Sequence, residues 1–268
     1  MISRGKPSMR IVSLQSGSNG NCIYVETPST RLLFDAGISG ARAKERLAQH
    51  GIDIRDVDAL LVTHDHWDHA TNMGVFHRKF NIPVWVTGIT YKTVLRKKPP
   101  GHIANLNPFV SGETFRIGDA TIETIRTPHD AADGVAFIID DGRVRFGIMT
   151  DLGHATADLR EAVRSLDAVL LESNYDPESL QNCTYSGETK ARISGKGGHL
   201  SNFDAARLLE AARSRLQWAC LGHISQESNT HQLVLETHRR ILRNSLSFGT
   251  TLPLYIASRY GMSEMFEL

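Results

Sequence analysis

The stretch LLVTHDHWDHA (60–70) brings His64, His66, Asp68 and His69 together within six residues, directly after an apolar run. Imidazole and carboxylate donors together suit Zn2+, Mn2+ or Fe2+, and such ions keep an open position for water. His64 and His66 stand at i, i+2, so a regular strand would aim them to opposite faces. They converge only if the chain leaves strand geometry after Thr63. This differs from HExxH, where i, i+4 spacing on a helix aligns the pair. A solvated polar loop is a poor account of four metal-competent side chains packed behind a buried strand. The spacing points to a bound metal ion.

The elements that must position these residues are short and β-rich. Apolar runs at 10–14, 22–26, 31–35, 58–63 and 83–87 read as strands, as do 120–127, 134–140, 143–150, 167–172 and 217–223. Helical periodicity covers 41–50, 155–166, 203–216 and 231–244. Several strands are nearly continuous apolar runs, as expected for sheets covered on both faces. The helices fall between groups of strands rather than after each one. That argues against a doubly wound sheet and for an α/β (α+β) chain of two mixed sheets packed together and flanked by helices. SGSNGN (16–21) lacks a phosphate-loop pattern and reads as a tight hairpin. Residues 173–200 read as a long loop rich in Gly and Ser, a length that is usually functional.

The bulk properties bound the rest. The 268 residues carry a formal net charge of +1, so nucleic-acid contact would rest on local patches. Three cysteines with no CxxC pair read as reduced thiols in a cytoplasmic protein. No apolar run approaches the roughly 18 residues that span a bilayer, so no membrane partner is expected. MISRGKPSMR lacks the apolar core of a secretory signal, and residues 1–9 read as a flexible extension before one domain that fills the chain.

HxHxDH after a strand resembles the signature of the metallo-β-lactamase superfamily. The rest of that pattern follows in order: Asp35 in RLLFDAG, His129 in RTPHDAADGVAF, Asp151 in FGIMTDLGH and His223 in ACLGHISQ. The resemblance runs from about residue 10 to the end and implies a four-layer αββα sandwich. It implies two divalent metal ions, Zn2+ or Mn2+ with Fe2+ as an alternative. His64, His66 and His129 would bind one; Asp68, His69 and His223 the other; Asp151 would bridge them. Asp68 and His199 are the expected catalytic residues, with a hydroxide between the metals as nucleophile. Asp35 is expected to orient the HxH loop, although turn chemistry alone reads it as a strand-end acid before a glycine. Two divalent ions, offset by Asp68, Asp151 and hydroxide, leave a residual positive charge that favours an anionic substrate.

With those seats filled, His199 in KGGHLSNFDAA is surplus. SNFD has the form of a capping box with Ser201 as N-cap, which sets His199 two residues before a helix start, a ready anion site. Lys190, Arg192 and Lys196 cluster just upstream. His199, Ser201, Asn202 and Lys196 are therefore the expected substrate contacts, and a surface histidine in a glycine loop is the alternative.

This stretch resembles the nuclease branch, notably RNase Z, whose histidine opens a helix near the metals. SGSNGNCIYVE, TPHDAAD, TDLGH, LESNYD, GHLSN and LGHISQESNT together resemble the YycJ/WalJ family of bacterial metal-dependent hydrolases. That resemblance implies a 5′→3′ DNA exonuclease with a link to DNA repair. It also places Glu172 as the acid that orients His199; otherwise Glu172 reads as an ordinary strand-end acid. The family has His where Tyr175 stands. Residues 152–222 leave no room for a β-CASP insertion. Trp67 is bulky for its position and is expected to pack under the loop, with base stacking as the alternative. YKTVLRKKPPGH (91–102) reads as a basic loop, and His154 as a residue near the site. His50, His77, His102, His231 and His238 read as surface or packing residues. A small-molecule hydrolase acting on a cyclic phosphodiester, lactone or thioester is the competing reading.

Overall fold

The computed structural model describes residues 9–244 and 252–268. One sheet is built from β1 (Arg10–Gln15), β2 (Cys22–Glu26), β3 (Arg31–Phe34), β4 (Ala59–Leu61), β5 (Val84–Thr87) and β6 (Leu106–Phe109). The other holds β7 (Thr114–Ile117), β8 (Ala120–Arg126), β9 (Val135–Asp140), β10 (Arg145–Met149), β11 (Ala168–Glu172), β12 (Trp218–Gly222) and β13 (Leu254–Ile256). β14 (Phe266–Glu267) returns to the first sheet beside β1. Among the described residues each sheet has seven strands, in the orders β14-β1-β2-β3-β4-β5-β6 and β13-β12-β11-β10-β9-β8-β7.

Alternate residues of each strand feed different cores. Ile23, Val25, Leu32 and Phe34 meet Phe137, Ile139, Phe146 and Leu170 between the sheets. Tyr24 and Leu33 point the other way, onto α1 (Gly40–Gln49), α3 (Met73–Phe80) and α4 (Gly88–Lys97) through Ala43, Leu47, Phe76 and Val94. On the second sheet, Val169 and Leu171 cover α5 (Ala157–Arg164), α8 (Asn202–Ala212) and α9 (His231–Asn244) through Leu159, Leu209 and Val234. Both faces of each sheet are thus buried, which is why the strands read as unbroken apolar runs. The four layers are αββα, as the resemblance implied.

Three expectations need correction. Residues 173–200 are not a loop: they carry α6 (Pro177–Asn182) and α7 (Gly187–Ser194), capped by the side chains of Asp176 and Ser186. Both helices are too short to show a clear apolar period, and Ser186 and Gly195 cap the second of them. The basic stretch 91–102 is mostly α4, ending at Lys97, with Thr87 as N-cap. The expected N-terminal extension falls on residues 1–8, outside the described residues, but Met9 is fully buried and pairs with Leu268 through both backbone groups.

Candidate metal centre and active site

β3 runs parallel to β4, and β10 parallel to β11 and β12, so five strand ends open toward one rim. In open sheets, ligands bind beyond the carboxyl ends of strands. Asp35 follows β3, Thr63 and His64 lie just past β4, Asp151 follows β10, Glu172 ends β11 and His223 follows β12. Asp35, Asp151 and His223 all have left-handed backbones, with φ of 64°, 59° and 51°. Such conformations are uncommon for residues with a Cβ and cost on the order of 1–3 kcal/mol each. They turn each side chain back into the site while the main chain leaves it.

The HxHxDH segment gains its shape from α2 (Trp67–Ala70). His66 is its N-cap, and the His66 carbonyl accepts from His69 and Ala70 N–H. This short helix is the departure from strand geometry that lets His64, His66, Asp68 and His69 converge. The SGSNGN turn does connect antiparallel strands, β1 and β2, and it also supports α2: Asn21 N–H donates to the Asp68 carbonyl at 2.8 Å. Gly37 is obligatory here, because a Cβ would collide with the Asp68 carbonyl.

Acceptors around the site fix the imidazole tautomers. His129 Nδ1 donates to the Gly198 carbonyl at 2.9 Å, and His69 Nδ1 to Asp35 Oδ2 at 2.7 Å. His223 Nδ1 donates to Glu172 Oε1 at 3.0 Å. His64 Nδ1 donates to the Thr63 hydroxyl at 2.9 Å, which itself donates to Asp35. In each case Nδ1 carries the proton and the Nε2 lone pair is left for the interior, the arrangement seen around metal-ligating histidines. His66 differs, with Nδ1 set 3.2 Å from His129 Nε2.

The donor set fits divalent metal. Ligand atoms of His64, His66 and His129 lie within 4.8 Å of one another, as do those of Asp68, His69 and His223, and those of His64, His69 and Asp151. His64 Nε2 and Asp151 Oδ2 are buried without a hydrogen-bond partner, a costly state that an ion would relieve. Asp151 spans the two histidine groups, 3.2 Å from His69 Nε2 and 3.5 Å from His129 Nε2. Electrostatics agree. Burial opposes charge on His223, but Asp151, Asp68 and Glu172 outweigh it and push the imidazole up to about 10. Burial likewise opposes charge on His69, yet Asp151, Asp35 and Asp68 hold it well above the usual range. Carboxylates that stabilise imidazolium so strongly also attract a cation.

The β-lactamase superfamily domain profile matches residues 30–224. The chain belongs to that superfamily. It is a metal-dependent hydrolase. The chain is 33% identical over 251 residues to the exodeoxyribonuclease WalJ of Streptococcus pneumoniae, covering 91% of this chain and 93% of WalJ. It is 30% identical over 239 residues to the exodeoxyribonuclease YycJ of Bacillus anthracis, covering 88% and 89%. The metallo-β-lactamase fold protein YhfI of Bacillus subtilis superposes with a TM-score of 0.71 at 14% identity, over 95% of this chain and 98% of that one.

In this superfamily member the cluster of candidate metal ligands floors a cavity of about 400 Å3, whose walls include His66, Trp67, Tyr185, Arg192 and His199. His199 Nδ1 donates to Glu172 Oε1 at 2.7 Å, leaving Nε2 free at the cavity wall. Glu172 Oε2 accepts from Leu152 and Leu200 N–H at 2.8 and 3.2 Å. Burial disfavours this carboxylate, but His199 and His223 bring it down to about 2. Asp151, Glu172, His199 and His223 also form a ligand-sized cluster, yet the Glu172 oxygens already serve these four donors.

The other expected substrate contacts do not line the cavity. Ser201 is the N-cap of α8, accepting from Asp204 N–H and donating to the Asp204 carboxylate, and is 3% exposed. Asn202 is fully buried and bonded to Ser173 and Asn229. Its N–H donates to the Tyr175 carbonyl, so this helix start spends its donors on the protein rather than on an anion. Lys196 is exposed and stands outside the cavity walls; its carbonyl accepts from His154, which is also exposed. Lys190 turns to the Gln181 carbonyl, leaving Arg192 as the one member of the basic trio in the wall. Trp67 does not pack under the loop: it is 61% exposed.

Sequence reasoning missed several participants. Asp65 joins the metal loop to α4 through Lys97 Nζ at 2.6 Å and to the His129 loop through Ala132 N–H at 2.8 Å. Asp130 pairs with Arg192 and approaches His66 and His129. Asn21 Nδ2 lies 3.0 Å from His69 Nε2. Asp65 and Asp130 adjoin motif histidines, the available signal; Asn21 had none beyond its turn.

Proposed function

We propose that the chain is a nuclease that degrades DNA from an end in the 5′→3′ direction on two divalent ions, in the service of DNA repair in the cytoplasm. The observation that carries this reading is His199, tethered by Glu172 and facing the cavity above the metal ligands. An imidazole held this way has an obvious task on a phosphodiester and little on a lactam or lactone. The names of the WalJ and YycJ relatives support DNA as the substrate.

His64, His66 and His129 would hold one ion; Asp68, His69 and His223 the other; Asp151 would serve both. Bound divalent ions supply a water acidic enough to attack at neutral pH and neutralise the phosphate. The chain's own residues do the rest. Asp35 and Thr63 hold His69 and His64 in the tautomer that presents Nε2. In its imidazolium form, with Nδ1–H held by Glu172, His199 would donate Nε2–H to a non-bridging phosphate oxygen or give that proton to the leaving 3′ oxygen. Arg192, steered by Asp130, adds positive charge at the cavity wall.

The test is incubation with Mn2+ or Zn2+ and end-labelled single- and double-stranded DNA and RNA, beside Asp151→Ala and His199→Ala. Stepwise release of 5′ nucleotides from DNA, abolished in Asp151→Ala and slowed about 10^2–10^4-fold in His199→Ala, is the expected result. Hydrolysis of an ester or lactone with intact nucleic acids would sink the reading.

A further inference from the structure

Trp67 and His66 belong to two cavities at once. One is the 400 Å3 cavity above the metal ligands, and the second, about 210 Å3, lies toward α4. The floor of the second cavity includes Ala70 and Val94, both buried, and its side carries Lys97 and Lys98. Lys97 is paired with Asp65, while Lys98 makes no ion pair among the described residues. Of the chain's three tryptophans, Trp85 stacks on Phe115 and Trp218 is buried, so only Trp67 offers a free indole. A flat aromatic partition with an apolar floor and ammonium groups at its edge suits a nucleobase joined to a phosphate. Stacking of that kind tolerates any base, because every base has a π face.

We infer that Trp67 is a stacking platform that divides the substrate path. The scissile phosphate lies above the metal ligands, and the neighbouring base stacks on the indole over Ala70 and Val94, with Lys97 and Lys98 beside its phosphate. A base that leaves its duplex stack to reach the indole is most readily drawn from a single-stranded end. This rests on the nuclease reading above.

The experiment compares wild type, Trp67→Ala and Trp67→Phe on a single-stranded oligonucleotide, and on the same strand with one abasic site at each of the first three positions. Trp67→Ala loses roughly five- to hundredfold in kcat/KM, mostly through KM, and Trp67→Phe restores most of it. One abasic position penalises wild type and leaves Trp67→Ala unchanged. A phosphorothioate dT oligonucleotide quenches tryptophan emission in wild type but not in Trp67→Phe. Equal cleavage by wild type and Trp67→Ala overturns the platform and leaves the nuclease reading standing. So does a loss of bound metal in Trp67→Ala that explains the whole defect. If wild type cleaves no nucleic acid, both fall together.

Discussion

Glu172 Oε1 accepts from two histidines, His199 Nδ1 at 2.7 Å and His223 Nδ1 at 3.0 Å. One oxygen thus positions a residue expected to hold metal and one expected to touch substrate. Glu172 receives four donors, so Glu172→Gln turns amide hydrogens against at least one of them. We expect Glu172→Gln to lower metal affinity about 10–100-fold and kcat as well. His199→Ala should lower kcat by about 10^2–10^4 with metal content unchanged. Metal analysis beside single-turnover rates separates the two; loss of metal in His199→Ala would show that His199 is a ligand.

Asp35 accepts only from donors: Thr63 N–H, the Thr63 hydroxyl and His69 Nδ1. An amide cannot accept from all of them. Asp35→Asn should weaken metal binding about 10–100-fold and destabilise the fold by about 1–3 kcal/mol. Titration with a chelator and urea unfolding check both. Unchanged affinity would mean that His69 does not need Asp35 for its orientation.

Gly153 is wedged between the backbones of Pro128 and Lys196, where a Cβ would strike both carbonyl oxygens. Neither obstacle is a flexible side chain, so Gly153→Ala must push apart the loops carrying His129, Asp151 and His199. Loss of bound metal with most of the fold retained is expected. Gly88→Ala, at a helix start with open space around it, is the control and should be neutral or slightly stabilising. Circular dichroism and metal content on both variants decide it; full metal occupancy in Gly153→Ala would refute the wedge.

His238 is fully buried on α9, with Nδ1 donating to the Val234 carbonyl and Nε2 unpartnered. Burial lowers its pKa from the model-compound value of 6.5 to about 4. The folded value lies below the unfolded one, so the folded state keeps a neutral ring while the unfolded chain binds a proton. Stability is therefore fully present above about pH 6.5 and declines as pH falls toward 4. Between pH 7 and pH 4.5 the loss attributable to His238 is roughly 2–3 kcal/mol. Urea unfolding of wild type and His238→Met at both pH values isolates it, since the acid sensitivity of the metal site is common to both. Equal pH slopes would show that His238 does not titrate in this way.

The sequence by itself determined ten of the fourteen strands among the described residues, their arrangement as two mixed sheets flanked by helices, and the convergence point of the metal donors. Those features are local: continuous apolar runs report burial on both faces, and His64, His66, Asp68, His69, Asp151 and His223 sit at or just past strand ends, where the chain must turn. His199 was legible as surplus to that set. Only the tertiary structure decided which neighbours of these residues face the cavity. Ser201, Asn202 and Lys196 are adjacent to His199 in the chain, yet α8 consumes the first two in capping and burial, and Lys196 points to solvent. Trp67 is exposed because α2 turns it outward between Asp68 and His66, while Ala70 takes the inner face. Asp65 and Asp130 gain their roles from Lys97 and Arg192, residues 32 and 62 positions away. Strand ends and donor types are written into short windows; the direction of a side chain on a short helix or loop depends on partners that only folding brings near.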